Sequence, residues 1–402
     1  MNRRHRWIIL VSLSLILLLT MGCGLCTLTG IRPPTRAATE IAAKPTPVST
    51  RMPEAVASRG LGEQSLIALY KKVNPSVVSI QVIREAQALF KSENKDIEYQ
   101  RGQGSGFIVD GIKGLVVTNN HVVENVQVVQ VVLWDGDVLT AKVLGQDSDS
   151  DTAVLQVDAE GRELQEVTLG DSDALQVGQD AVAIGNPFGW EGTLTTGIIS
   201  GVGRTLHMGH VSERVSGRFS IPEMIQTDAA INFGNSGGPL LDSSGRVIGM
   251  NSAIDASGGA SSGVGFAVPI NTIKHVMPDL IEKGHHDYAW LGISGGDLSP
   301  IHVQAMQLPV ERGAIIGAVV PDGPAAKAGL QGADSTVDYF GQEIRIGGDV
   351  VIAIDEVPVH QFDDLLIYLM REKRPGDTAL LTIIRDGQEM QLGVTLGNRP
   401  TD

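Results

Sequence analysis

Gly234-Asn235-Ser236-Gly237-Gly238-Pro239 sets one serine among glycines. Without a Cβ the backbone turns sharply, so the amides of Gly234 and Ser236 can converge on one point beside the serine hydroxyl. That arrangement holds an oxyanion next to a nucleophile. A glycine-dense loop is costly to order, which weighs against reading it as a plain turn.

Two architectures use such a loop. As Gly-x-Ser-x-Gly it fits the strand-to-helix elbow of an α/β-hydrolase, and it also fits the nucleophile loop of a double β-barrel. The order of partners separates them. The elbow fold needs an acid and then a histidine after the serine, whereas the best-placed partners here lie upstream, as His121 and then Asp151.

His121 follows the β-branched run Val116-Val117-Thr118, a strand end and therefore a rigid mount. Asp151 closes the polar stretch Asp147-Ser148-Asp149-Ser150 and opens the apolar Thr152-Ala153-Val154-Leu155, so its carboxylate can be half buried against an imidazole. Asp147, Asp149 and Asp151 also suit an Asx-rich turn. In the order His121, Asp151, Ser236 the three residues match a triad of general base, orienting acid and nucleophile.

Thr118-Asn119-Asn120-His121-Val122-Val123, Ser150-Asp151-Thr152-Ala153-Val154-Leu155 and Gln226 through Leu240 resemble the three catalytic blocks of the HtrA family of serine proteases. Ala183 through Gly189 and Gly263 through Pro269 resemble further family segments in the expected order, and the similarity runs from about Glu63 to the C-terminus. The resemblance implies an endopeptidase acting on misfolded or exposed polypeptides through an acyl-enzyme, without a cofactor. It also implies assembly as a homo-trimer or larger. By the same resemblance Ile231, Asn235 and the loop Asn251-Ser252-Ala253-Ile254 border the primary pocket. These residues carry no carboxylate to greet Lys or Arg, so a small aliphatic residue is expected before the cut. Core packing is the competing reading for Ile231 and Ile254. Arg204 to Glu223, polar and glycine-spaced, resembles the family's regulatory loop.

Short β-branched runs predict the barrels. Val77–Ile83, Gly106–Val109, Leu115–Thr118, Val126–Leu133 and Thr152–Val157 make one set; Ala181–Ile184, Gly197–Val202, Val247–Ile254 and Gly263–Val268 make a second. No strongly amphipathic helix stands between Pro75 and Pro269, which argues against the α/β alternative. The expected fold is mostly β, and the resemblance to the HtrA family implies that the two barrels are a double six-stranded β-barrel of trypsin-like type over residues 61–284. Glu63 to Val73 reads as a short leading helix and Asn271 to Lys283 as a closing one, which Pro278 should kink or divide.

Residues 285–399 form a second compact unit of about a hundred residues, the usual size of one domain. Trp290-Leu291-Gly292-Ile293 resembles the carboxylate-binding loop of a PDZ domain, and Gly347 through Ile354 with Arg385-Asp386-Gly387 resembles the later PDZ strands. The amides of Leu291, Gly292 and Ile293 would then hold the carboxylate of a peptide C-terminus while the peptide adds a strand to the sheet edge. Asp363 to Met370 is the expected groove helix. Because the reacting residues all precede this unit, removing Tyr288 to Asp402 should abolish activation by C-terminal peptides while preserving some basal hydrolysis. An alternative function is a PDZ-based chaperone or adaptor whose hydrolytic domain rests.

Of the 402 residues, 42% are hydrophobic and 19% charged, enough to bury ordinary cores in two or three domains. The net charge of −15 and the lack of clustered Lys and Arg exclude nucleic acid as a partner. Arg3, Arg4, His5 and Arg6 precede an uncharged stretch from Trp7 to Ile31, the pattern of an export signal with its basic end in the cytoplasm. Cleavage, lipid attachment at Cys23 and retention as a membrane anchor (1–31) all fit. Retention is favoured, because the stretch can span a bilayer and no clean cleavage site follows it. Residues 32–60, rich in Pro, Thr, Ala and Ser, read as a tether holding the rest outside the cytoplasm. Both cysteines, Cys23 and Cys26, lie in the first segment, so neither disulfides nor a thiol nucleophile is expected beyond it. The histidines show no metal-ligand spacing.

Overall fold

A computed structural model describes residues 61–85, 99–186, 192–211, 218–232, 234–252 and 263–400. The expected anchor (1–31) and tether (32–60) lie outside the described residues, as do Ala253 and Ile254.

Six strands close the first barrel in the order β1-β2-β3-β6-β5-β4: β1 (Val77–Glu85), β2 (Tyr99–Asp110), β3 (Leu115–Thr118), β4 (Val126–Val132), β5 (Val138–Asp147) and β6 (Thr152–Val157). Alternation decides what faces inward. Val78, Ile80 and Val82 of β1 enter the barrel core with Val116, Leu155 and Val157, whereas Val77 points the other way, into the seam between barrels. In β6, Val154 also faces away from that core yet is buried, because the helix Ile270–Glu282 covers it.

The second sheet comprises β7 (Thr168–Leu169), β8 (Asp180–Gly185), β9 (Thr193–Val211), β10 (Arg218–Thr227), β11 (Pro239–Leu241), β12 (Arg246–Ser252) and β13 (Gly265–Pro269). Pairing of β11 with both β8 and β12 closes six of them into a second barrel, with β7 parallel to β12 outside the ring. Phe107 and Val117 from the first barrel meet Ile184, Met224 and Met250 from the second, so the seam is a continuous apolar core.

Three features depart from the local sequence pattern. β5 was not foreseen, since its Val138-Leu139-Thr140-Ala141-Lys142-Val143 mixes polar and apolar positions too evenly to stand out. Much of the expected regulatory loop Arg204–Glu223 is strand: β9 and β10 form a long antiparallel pair, irregular in register at Ile221/Met224 and beyond. Finally, Pro278 neither divides nor ends the helix Ile270–Glu282, which buries Ile270, Ile273, Val276 and Leu280 along one face. Packing of that stripe outweighs the missing N–H.

The C-terminal module is a sheet ordered β15-β16-β19-β21-β22, from β15 (Ile293–Asp297), β16 (Ala314–Val319), β19 (Val350–Ile354), β21 (Thr378–Arg385) and β22 (Gln388–Thr395), with β20 (Val357–Pro358) beside β19. β17 (Ser335–Tyr339) and β18 (Gln342–Ile346) form a hairpin. The ends of the module meet, as β14 (Ala289–Trp290) pairs with β23 (Gly397–Asn398). Leu365 and Leu369 of the helix Phe362–Glu372 are buried in the module's core with Ile316, Leu381 and Ile383.

Candidate active site

Thr118 ends β3, and the chain turns through Asn119 into a single helical turn, Asn120–Val123, that carries His121. Val122 and Val123 are buried in the barrel core and pin the turn from below. The Arg84 guanidinium pins it from the side, donating from Nη2 to the carbonyls of His121 and Val122, each at 2.7 Å.

Asp151 ends the β5–β6 turn at φ 51°, a left-handed conformation that few residues other than glycine or Asn and Asp adopt. This conformation turns its carboxylate onto His121. Oδ1 accepts the His121 amide at 3.0 Å, while the ring Nδ1 lies 3.0 and 2.9 Å from Oδ1 and Oδ2. The Asp151 carbonyl accepts the Asn120 amide and the Asn119 side-chain amide, both at 3.1 Å. The Asp151 side chain is 6% exposed and the His121 side chain 39% exposed. An ionised carboxylate only accepts, so it selects the tautomer with hydrogen on Nδ1 and leaves Nε2 as the acceptor.

The loop that carries Ser236 is held by β2. Ser105 donates from its amide to the Ser236 carbonyl (2.8 Å) and from its hydroxyl to the Gly234 carbonyl (2.5 Å). Gly104 beside it permits the approach: a Cβ there would sit 2.7 Å from a Val122 methyl and 3.3 Å from the Ser236 carbonyl oxygen. Gly237, at φ 85°, likewise has no room for a Cβ, which would strike the Ser105 carbonyl and the Thr118 hydroxyl. The Asn235 carbonyl accepts the Gly238 amide at 2.9 Å, and across that trans peptide the Ser236 N–H points the opposite way. Gly234 sits at φ 100°. Its amide follows Phe233, which lies outside the described residues.

Asp151 and the loop around Ser236 are also tied to one strand across the seam. Ser252 of β12 donates its hydroxyl to Asp151 Oδ2 at 3.2 Å, and the neighbouring Asn251 exchanges backbone bonds with Gly237 and Gly238, each at 2.9 Å. The side chains of Asn251 and Ser252, expected to border the primary pocket, are turned to structural partners. Asn251 is fully buried, its amide donating to the carbonyls of Ile184 and Pro239, and Ser252 serves Asp151. Ile231 is buried in the second barrel's core, against Gly265, and Asn235 is buried with its amide on the Ala230 carbonyl.

Sequence reasoning missed Arg84 and Ser105. Ser105 had a signal in Gly102-Gln103-Gly104-Ser105-Gly106, because glycines alternating within a strand mark the close approach of another backbone. Arg84 had none. Replacing it with Met keeps the stem and frees the helical turn, and kcat on an unfolded protein substrate should fall about tenfold with little change in KM. Unchanged kcat would remove Arg84 from the support of His121.

In the C-terminal module, the Leu291 carbonyl accepts the Ala325 amide (2.9 Å) and the Gly292 carbonyl accepts the Val320 amide (2.8 Å), with Gly292 at φ 76°. Across trans peptides the amides of Gly292 and Ile293 consequently point away from the 320–325 turn. The Leu291 side chain is buried, an anchor for the loop.

The trypsin-like peptidase domain family matches residues 104–250 and the PDZ domain family residues 290–396. Protease Do-like 1, chloroplastic, of Arabidopsis thaliana is 38% identical over 340 residues, covering 85% of this chain and 73% of the relative. The periplasmic pH-dependent serine endoprotease DegQ of Escherichia coli (strain K12) is 36% identical over 344 residues, covering 83% and 70%. The chain belongs to the HtrA (Deg) family of serine endoproteases. Among solved structures, the HtrA-type protease AlgW with tripeptide superimposes with a TM-score of 0.66 at 32% identity, covering 84% of this chain and 98% of that one. This HtrA protease thus has two trypsin-like barrels followed by a PDZ-like sheet, and the resting adaptor is set aside in favour of the enzyme.

Proposed function

We propose that Ser236, His121 and Asp151 perform the hydrolysis of this HtrA-type endopeptidase as nucleophile, general base and orienting acid. The observation that carries the assignment is the Asp151 carboxylate, which grips both the amide and Nδ1 of His121 and is itself held by Ser252 from the other barrel. Nε2 takes the Ser236 proton as Oγ attacks the scissile carbonyl. The amides of Gly234 and Ser236 stabilise the oxyanion, His121 returns the proton to the leaving amine, and a water activated in the same way frees the acyl chain. The test is covalent: a fluorophosphonate probe should label the full-length protein once, at Ser236, as located by peptide mass spectrometry. A label elsewhere with Ser236 unmodified would reject the assignment.

The catalytic unit spans 61–284 and the PDZ unit 285–399, with residues 1–31 anchoring the chain in a membrane, 32–60 as its tether, and both folded units outside the cytoplasm. The substrates are misfolded or exposed polypeptides, cut after small aliphatic residues beside Ile231, by an assembly of three or more copies. The periplasmic relative and the solved structures with bound peptides support this reading for location and ligand class.

In the PDZ unit, the amides of Leu291, Gly292 and Ile293 hold a free C-terminal carboxylate. A peptide with an apolar C-terminus should bind the full-length protein and raise turnover of a separate reporter, and amidating it should remove most of both effects. Equal rates with free-acid and amidated peptides would reject the carboxylate-sensing role.

A further inference from the structure

The turn that presents Asp151 is built on a second buried carboxylate, Asp147. Its Oδ1 accepts the Asp149 amide at 3.2 Å, and its Oδ2 accepts the Ser150 amide at 3.2 Å and the Ser150 hydroxyl at 2.5 Å. One more donor arrives from outside the barrels. The Tyr288 hydroxyl lies 2.6 Å from Asp147 Oδ2, and both side chains are buried.

Tyr288 stands where the chain enters the C-terminal module, and Arg399 where it leaves. The Tyr288 carbonyl accepts the Arg399 amide at 3.0 Å, and the Arg399 guanidinium lies 3.4 Å from Asp149. Entry and exit thus form one stem, and the stem meets the acid turn at two residues. The approach to it is fixed as well. Gly145 lies against the Leu280 backbone with no room for a Cβ, and the Gly284 carbonyl accepts the Gln146 amide at 3.1 Å. The His286 ring packs edge-on against Tyr288 with centroids 4.6 Å apart, its Nδ1 2.8 Å from Asp279.

We propose that Tyr288 is a positioning residue for hydrolysis, its hydroxyl holding Asp147 so that the acid turn keeps Asp151 on His121. The proposal rests on the assignment of Asp151 as the orienting acid. Burial, then the adjacent Asp147 carboxylate, pushes Tyr288 well above the ordinary tyrosine range, so its hydroxyl remains a donor. Removing it takes a donor from a buried carboxylate, which leaves that acceptor under-satisfied. From sequence, some basal hydrolysis is expected without residues 288–402; the stem contact makes the first of them a support of the acid turn.

The experiment compares full-length Tyr288→Phe, Asp147→Asn and the double variant with the parent. Tyr339→Phe, on the exposed β17–β18 hairpin, controls for loss of a tyrosine hydroxyl in the same module. Turnover of fluorescently labelled casein reports kcat and KM, the rate of fluorophosphonate labelling reports the readiness of Ser236, and thermal melting reports stability. Tyr288→Phe should lower kcat and the labelling rate together by about tenfold, as expected for a small misplacement of a reacting group. KM should stay within about twofold, Tyr339→Phe should match the parent, and the double variant should be no slower than Asp147→Asn alone. Parental kcat and labelling in Tyr288→Phe overturn the proposal, as does a lowered melting point without a loss of labelling rate. Losses that multiply in the double variant also overturn it, because Tyr288 would then not act through Asp147. Should Asp147→Asn fail to fold, the labelling rate of Tyr288→Phe decides alone. Residual turnover by Ser236→Ala would be a separate failure, that of the triad itself.

Discussion

Ser236→Ala should abolish peptide hydrolysis, by about a millionfold in kcat, as loss of a triad nucleophile does. The fold should survive. The loop is held through backbone groups, namely the carbonyls of Gly234 and Ser236 on Ser105 and the amides of Gly237 and Gly238 on Asn251 and Asn235. None of those bonds uses the Ser236 hydroxyl, and alanine fits the same backbone. Melting temperature and capture of a C-terminal peptide should therefore match the parent while casein stays intact. A purified variant that retains turnover within about a hundredfold of the parent would mean that hydrolysis does not depend on this serine, since a residual of that size exceeds what the oxyanion site and binding alone supply.

Asp151→Asn is the second large effect, about ten-thousandfold in kcat. The change is nearly isosteric, and asparagine tolerates the left-handed backbone found at this position, so the turn should form. What changes is the hydrogen-bond balance. Asp151 accepts from the His121 amide, from Nδ1 and from the Ser252 hydroxyl, and an amide side chain has a single oxygen for these donors. With an NH2 facing Nδ1, the imidazole is driven to carry its hydrogen on Nε2, where it cannot take the serine proton. Fluorophosphonate labelling should slow in parallel with casein turnover, and melting should move little. Labelling at the parental rate would show that His121 does not need this carboxylate.

The reading of His121, Asp151 and Ser236 from sequence rested on short, local patterns: a β-branched run into a turn, a polar loop into a strand, a serine among glycines. Val116-Val117-Thr118 and Thr152-Ala153-Val154 became strands at the expected places because their patterning is strong within a few residues. β5 and the β9–β10 extension escaped notice because their pairing, not their composition, makes them strands. Pro278 does not divide its helix, where the buried stripe Ile273, Val276 and Leu280 continues across it.

By itself, then, the sequence determined the class of reaction and the order of the two folded units, since each is written in short patterns of contiguous residues. Only the tertiary structure decided what holds them. Ser105 on the nucleophile loop is 129 residues from Gly234, Ser252 is 101 from Asp151, and Tyr288 is 141 from Asp147. Hydrogen bonds over such separations have no local signature: they exist because barrel closure and the meeting of β14 with β23 bring distant donors to buried oxygens that must be satisfied once water is excluded.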